Sequence, residues 1–263
     1  MVLEAEPVPG LGAMLDGLRD AAKDWPYTVG WIDCLARGAA LGRGILIRGR
    51  HATRAEAPAG PPPVRAHPGA AGRARVAAEP GPDARLQRRV LPETLGGAGG
   101  TRRPVPYHGF FYPLDAIGSW NRLYGRRGFL QYQCVVPRAA GAPAVAELLE
   151  RLAAAGAASF LAVIKDCGPE SDAYLSFPLE GTTLALDLPY RGAAHRGPRP
   201  RAERDGDRGG GRVYLAKDAV TRAEDFALHG AASRRVAAGP REVGSRSTAS
   251  APPSRYGVLG DTP

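Results

Sequence analysis

Lysine is nearly missing from this chain of 263 residues: only Lys23, Lys165 and Lys217 occur, against 32 arginines. A surface selected to hold phosphate ordinarily draws on both, so the skew reads as a mark of GC-rich coding DNA. Cysteine is equally scarce. Cys34, Cys134 and Cys167 are odd in number and widely spaced, which supports neither a disulfide framework nor a thiolate zinc site and leaves reduced, partly buried thiols. The five histidines, at 51, 67, 108, 195 and 229, are scattered, so no metal site or catalytic triad is expected. No run of 18 apolar residues exists. The longest apolar region, 145–164, is broken by Glu147, Glu150 and Arg151, which argues against a transmembrane helix. The opening Met-Val-Leu-Glu-Ala-Glu-Pro is acidic and lacks a signal-peptide pattern, so the expected location is cytoplasmic or peripheral at the cell membrane.

The charge that is present is unevenly placed. The formal net charge is +9, yet three compositionally biased stretches, 51–104, 193–211 and 228–263, together carry 19 arginines and 9 acids. The other 154 residues sum to −1. A nucleic-acid-binding face should put its basic excess on an ordered element, so specific nucleic-acid binding is not expected. In 51–104, 38 of 54 residues are Ala, Gly, Pro or Arg. Such a segment has too little apolar area to offset roughly 1–2 kcal/mol of backbone entropy per residue, and disorder is expected there. Pro61-Pro-Pro63 sits in that bias and is not read as a polyproline ligand.

Outside these stretches the periodicity is readable. Leu11, Met14, Leu15, Leu18 and Ala22 form one face of a helix over 11–23. Strands are expected at 27–33, 44–48, 107–114, 128–137, 159–166 and 212–217, and a helix at 144–155 with Gly156 as its C′ residue. A hairpin of 175–179 with 182–188 is expected around Glu180-Gly181. Thr221-Arg-Ala-Glu224 forms a capping box that opens a short helix. The elements interleave without parallel βαβ regularity, which predicts an α+β fold: an antiparallel sheet flanked by helices.

Some polar residues stand out on these strands. Gln131 and Gln133 share a face, about 7 Å apart by strand rise, and two amides so placed either offer donors and acceptors to a polar ligand or line the solvated side of a sheet. Lys165 ends an apolar strand, where an ammonium either meets an anion or snorkels to water. Tyr214 and Lys217 are three apart, so they leave opposite faces of a regular strand unless a bulge intervenes. Trp31 lies in an apolar strand, as a core tryptophan does.

Seven collinear strings carry a family resemblance: Tyr27-Thr-Val-Gly-Trp31-Ile-Asp33, Phe111-Tyr-Pro-Leu-Asp115, Trp120-Asn-Arg-Leu-Tyr124-Gly, Gly128-Phe-Leu-Gln-Tyr-Gln133, Ser159-Phe-Leu with Lys165, Leu175-Ser-Phe-Pro178 and Val213-Tyr-Leu-Ala-Lys-Asp218. Together they resemble the FAD-linked oxidases that include decaprenylphosphoryl-β-D-ribose 2′-oxidases and aldonolactone oxidases. The resemblance covers only the C-terminal, substrate-side part of that family. It implies oxidation of a sugar secondary hydroxyl by hydride transfer to flavin, with a polyprenyl-phosphate sugar as substrate, a possible partner reductase and at most peripheral membrane contact. It places Tyr214 and Lys217 at the flavin and the sugar, Trp31 at the border of the pocket, Lys165 near the substrate phosphate, and Gln131 and Gln133 at the sugar. A cation about 4 Å from charge developing on reduced flavin, at an effective dielectric near 20, is worth roughly 4 kcal/mol.

The departures from the family are equally definite. Nothing matches the domain that holds FAD, and neither Gly42-Arg-Gly44 nor Gly96-Gly-Ala-Gly-Gly100 replaces its phosphate turns. Ala185 stands where some members have a pocket cysteine, so no thiol chemistry is implied there. Family-like sequence stops at each biased stretch, which predicts a truncated reading frame with internal frameshifts. The resulting organisation is 1–50, the start of a substrate domain; 51–104, expected to be disordered, low in complexity and out of frame; 105–192, the core of that domain; 193–211, a biased insert; 212–227, a flavin-facing strand and short helix; and 228–263, an expected disordered tail. The isolated chain is expected to be inactive. The open alternatives are a non-catalytic remnant or disordered basic protein that binds polyanions nonspecifically, and a sugar- or lipid-phosphate binding module without redox chemistry.

Overall fold

A computed structural model of the protein describes residues 1–57, 102–113, 124, 126–154, 159, 161–172, 176–190 and 211–218. In chain order its elements are β1 Val2–Val8, α1 Leu11–Ala21, β2 Tyr27–Ile32, β3 Gly44–Arg50, β4 Arg103–Pro104, α2 Tyr107–Phe111, β5 Phe129–Pro137, α3 Gly141–Ala154, β6 Ala162–Cys167, β7 Gly181–Pro189 and β8 Arg212–Asp218. The eight strands form one antiparallel sheet in the order β4-β1-β3-β2-β6-β7-β5-β8. The expected fold class, α+β with an antiparallel sheet flanked by helices, is the one observed.

The sheet is two copies of one motif. In the first half a strand, a helix and three strands are ordered β4-β1-β3-β2; in the second, β5, α3, β6, β7 and β8 repeat that arrangement in reverse order across the sheet. The registers superpose as well. Leu3 faces Gly49 as Gln131 faces Asp187, Ala5 faces Ile47 as Gln133 faces Ala185, and Val8 faces Gly44 as Val136 faces Thr182. The halves meet at the β2–β6 pair, Gly30 opposite Ile164, so the pseudo-two-fold axis runs through that pair. Gly30 is required there. A Cβ on it would lie 2.5 Å from Met14 Sδ and 2.6 Å from Ile164 Cγ2.

Strand alternation sorts the side chains onto two faces. On the helix face, Leu11, Met14, Leu15 and Leu18 of α1 and Val145, Leu148, Leu149 and Leu152 of α3 pack with Ile32, Leu46, Tyr132, Cys134, Ile164, Leu184, Leu186 and Leu188. On the opposite face of the first half, Leu3, Ala5, Trp31, Ile45 and Ile47 are capped by Phe110 of α2. Gly49 makes room for that cap, since a Cβ there would come within 2.1 Å of the Phe110 ring.

Several expectations need correction. α1 ends at Ala21, and Ala21, not Ala22, is the buried residue of its last turn. Where the sequence predicts a strand over 107–114, Tyr107–Phe111 is a helical turn. Its Tyr107 and Phe111 rings meet at 4.6 Å between centroids, and Phe111 meets Tyr27 at 5.0 Å. Aromatic packing at helical spacing, entered through Pro106, outweighs β-propensity there. The expected hairpin of 175–179 with 182–188 is absent. Gly181–Pro189 pairs instead with β5 and β6, and the described residues 176–179 form no strand. The strand Val2–Val8 was missed because Glu4, Glu6 and Pro7 mask its alternation. The biased stretch 51–104 is placed at both ends: Arg50 holds Glu56 at 2.6 Å in a turn, and Arg103–Pro104 pairs with β1. Residues 58–101, most of 193–211, the capping box at Thr221, Gly156 and 228–263 lie outside the described residues. Cys34, Cys134 and Cys167 are free thiols, the first two buried.

Candidate active site

On the face away from the helices, the second half differs in kind from the first. Where the first half has Leu3, Ala5, Ile45, Ile47 and Gly49, the second has Gln131, Gln133, Thr183, Ala185 and Asp187. Where Trp31 stands opposite Ile45 in the first half, Lys165 stands opposite Thr183 in the second. One copy of the motif is thus plugged by a phenyl ring, and the other presents polar groups at the same positions.

Tyr214 and Lys217 join this face through an irregularity in β8. Val213 lies opposite Cys134 and Asp218 opposite Tyr132, with a register shift between them. Four residues of β8 therefore span one residue of β5, so Tyr214 and Lys217 both turn to the face away from the helices. Regular alternation would have separated them. Tyr214 is 37% exposed, and its ring lies 4.8 Å from that of Phe177. The Lys217 charge favours the ionised form of Asp187. Lys165 is exposed on the same face.

Asp187 lies at the centre of the polar network and was not singled out from the sequence. It is 3% exposed. Gln131 Nε2 donates to its Oδ1 at 3.0 Å, and the Tyr124 hydroxyl approaches Oδ2 at 3.5 Å. Its own backbone N–H donates to Ser159 Oγ at 3.0 Å. Ser159 is tied in turn to Cys34, whose thiol donates to the Ser159 carbonyl at 3.3 Å. Beside this group, Gln133 Nε2 donates to Thr183 Oγ1 at 3.1 Å, and Thr183 Oγ1 donates to the Cys134 carbonyl at 2.8 Å. The available signal was Leu184-Ala-Leu-Asp-Leu188, a carboxylate in an apolar strand and in phase with Thr183 and Ala185 on the face away from the helices.

Burial is the largest influence on Asp187 and holds its carboxyl above the ordinary carboxylate range. The Gln131 hydrogen bond, the Lys217 charge and the Tyr124 hydroxyl pull it part of the way back. Burial, followed by the Asp187 charge, pushes the Tyr124 phenol far above its usual value. Because the folded state holds the Asp187 proton more tightly than the unfolded chain does, this group's contribution to stability is complete below the unfolded carboxyl pKa. It is lost as pH rises through the higher folded value. The Asp187→Asn variant should therefore lose less thermal stability than wild type as pH rises above the ordinary aspartate value of about 4. Equal slopes in the two melting series would show that the carboxyl does not titrate as described.

Trp31 is 7% exposed and packs among Leu3, Ile45, Ile47 and Val163, as a core tryptophan would. Its indole N–H has no hydrogen-bond partner among the described residues, which is a cost unless something else accepts it. Gly42 and Gly44 are occupied by packing: Cβ atoms there would meet Leu11 Cα at 2.8 Å and the Trp31 carbonyl oxygen at 1.9 Å. Neither opens onto a phosphate. Gly96-Gly-Ala-Gly-Gly100 lies outside the described residues. Among the described residues no group of three or more His, Cys, Asp or Glu is arranged to hold a metal, and no helix is long and apolar enough to cross a membrane.

No protein-family model matches the chain. Over 117 residues, 44% of this chain, it is 42% identical to the decaprenylphosphoryl-β-D-ribose oxidase of Mycolicibacterium smegmatis. Over 229 residues, 81% of this chain, it is 30% identical to a Streptomyces coelicolor protein described as an uncharacterized protein in the mprA 5′ region. The chain spans a quarter of the length of the first relative and 60% of the second. The second alignment covers more of the chain than its 154 unbiased residues, so it runs through part of the biased sequence.

Proposed function

We propose, from the relationship of part of this chain to a decaprenylphosphoryl-β-D-ribose oxidase, that it is the substrate-side portion of an FAD-dependent oxidoreductase. Its substrate in this reading is a sugar secondary hydroxyl on a polyprenyl-phosphoryl pentose. The observation that carries the reading is the convergence of Gln131, Gln133, Lys165, Tyr214 and Lys217 on one sheet face, around a buried carboxylate, in the half of a duplicated fold that no aromatic ring of α2 caps.

FAD, when bound, supplies the hydride acceptor. The described residues fit its ring: Lys217 offers a cation and Tyr214 an aromatic face on the same side of the sheet. They offer no backbone cradle for its pyrophosphate, because the glycines of 42–44 are closed by packing. Lys217 stabilises negative charge that develops on the flavin side, in a setting where preorganised charge counts for more than it does in water. Gln131 and Gln133 orient the sugar through its hydroxyls. Lys165, exposed at the strand end, meets the substrate phosphate. Trp31 borders the pocket with its buried N–H as a further donor. A partner reductase and peripheral contact with the membrane that holds the lipid belong to the same reading.

Two measurements test it. The purified chain should show no stoichiometric flavin absorbance, and adding a flavin-binding domain from a related oxidase together with a prenylphosphoryl ribose should bleach the flavin bands. A stoichiometrically yellow isolated chain contradicts the assignment of its residues to the substrate side. Sugar-lipid binding without bleaching in the mixture points instead to a binding module without redox chemistry.

A further inference from the structure

We propose that Asp187 is a positioning residue that fixes the Gln131 amide so that, with Gln133 held by Thr183, both glutamines keep carbonyl oxygens for a ligand on the face away from the helices, making the site select ligands that donate hydroxyl hydrogens. The inference rests on the sugar-binding reading above and assigns a residue and a selection rule to it.

The argument is one of donor and acceptor inventory. An amide has one accepting end and one donating end, and its orientation must be inferred from its neighbours. An ionised carboxylate only accepts, so in the charged form of Asp187, which Lys217 favours, Gln131 Nε2 must face Asp187 Oδ1, 3.0 Å away. Its Oε1 is then turned from the carboxylate. The second amide is fixed by a different chain of constraint. The Cys134 backbone carbonyl can only accept, so Thr183 Oγ1 spends its hydrogen there at 2.8 Å and is left to accept from Gln133 Nε2 at 3.1 Å. Gln133 is therefore also left with its oxygen for the ligand. The two residues sit two apart on β5 and share a face, while Tyr132 between them is buried in the helix-side core. Asp187 is itself held by more than Gln131: its backbone N–H is bonded to Ser159, and Lys217 balances its charge. The equivalent position in the first half is Gly49, under the Phe110 ring. The carboxylate is thus peculiar to the polar half.

The test uses the full chain with ribose 5-phosphate and 2-deoxyribose 5-phosphate as probes, which differ by one hydroxyl. Wild type should bind the first about tenfold more tightly, the value of one hydrogen bond made without compensation. Asp187→Leu frees the Gln131 amide, so the ratio should fall toward one. Asp187→Asn should retain it, because Asn Oδ1 still accepts from Gln131 while its amide group faces Tyr124. A purely structural role for Asp187 would weaken both probes together and leave their ratio intact, and that result in Asp187→Leu overturns the inference. Equal binding of both probes by wild type overturns it too, and leaves the sugar-phosphate reading standing. Failure of wild type to bind either probe removes both. A second measurement keeps the inference testable should Asp187→Leu fail to fold. In ¹⁵N-labelled wild type the Gln131 side-chain amide resonances should follow a carboxyl titration more strongly than those of Gln133. Gln131 resonances that ignore that titration overturn the assignment.

Discussion

Gly30→Val is expected to cost about 3 kcal/mol or more, the upper range for forcing atoms into a packed core. The added carbons must enter space already held by Met14 Sδ and the Ile164 methyl, 2.5 Å and 2.6 Å from where a Cβ would stand. Met14 is flexible, but Ile164 is β-branched, fully buried and stiff at χ1. The damage falls where the two halves join, because only Gly30–Ile164 and Trp31–Val163 are paired between β2 and β6. Urea denaturation should show a lowered midpoint. Adding Ile164→Ala should restore part of the loss, so the double-mutant cycle should be strongly non-additive. Simple additivity would mean that the clash is relieved elsewhere and that the seam is softer than its geometry implies.

Leu186→Ala is the second large effect, at about 2–5 kcal/mol for truncating a buried leucine. Leu186 is 2% exposed and lies between Tyr132 on β5 and Ala162 on β6. Its neighbour Ala185 points to the other face, between Gln133 and Val163. Ala185→Ser should therefore leave the melting temperature nearly unchanged, although it lies one residue away. Similar losses from both substitutions would place the register of β7 one residue off.

How far the sequence made this visible depended on which period a segment obeyed. Phe129–Pro137 alternates cleanly, and reading it as a strand placed Tyr132 and Cys134 in the core and the two glutamines on the other face. The two long helices showed their stripes, with only the terminal turns misjudged. Pro143 obscured the first turn of Gly141–Ala154, although proline is tolerated there. Val2–Val8 was hidden because its helix-facing Glu4 is paired with Arg48 across β3 at 3.4 Å and with Arg102 at 2.9 Å. Ion-paired charges on a partly covered face read as surface in a hydropathy pattern. Tyr107–Phe111 read as β because aromatics favour strands, whereas its conformation is set by Gly49 and Tyr27, far away in sequence. The candidate site was legible in its components and not in its assembly. The β8 irregularity that turns Tyr214 and Lys217 to one side leaves no mark in that strand's own residues. Asp187 gains its meaning only from Gln131, more than fifty positions earlier.

The duplicated sheet has a consequence for the inheritance of mutations. Its two copies share one pattern of strand pairing, but the Phe110 ring fills the face of only one of them. Changes at Leu3, Ala5, Ile47 and Gly49 should therefore appear as altered expression and solubility. Changes at Gln131, Gln133, Ala185 and Asp187, their twins, should appear as altered ligand preference in a protein that still accumulates. A library that randomises matched pairs would separate the two burdens, tenancy in one lobe and upkeep in the other.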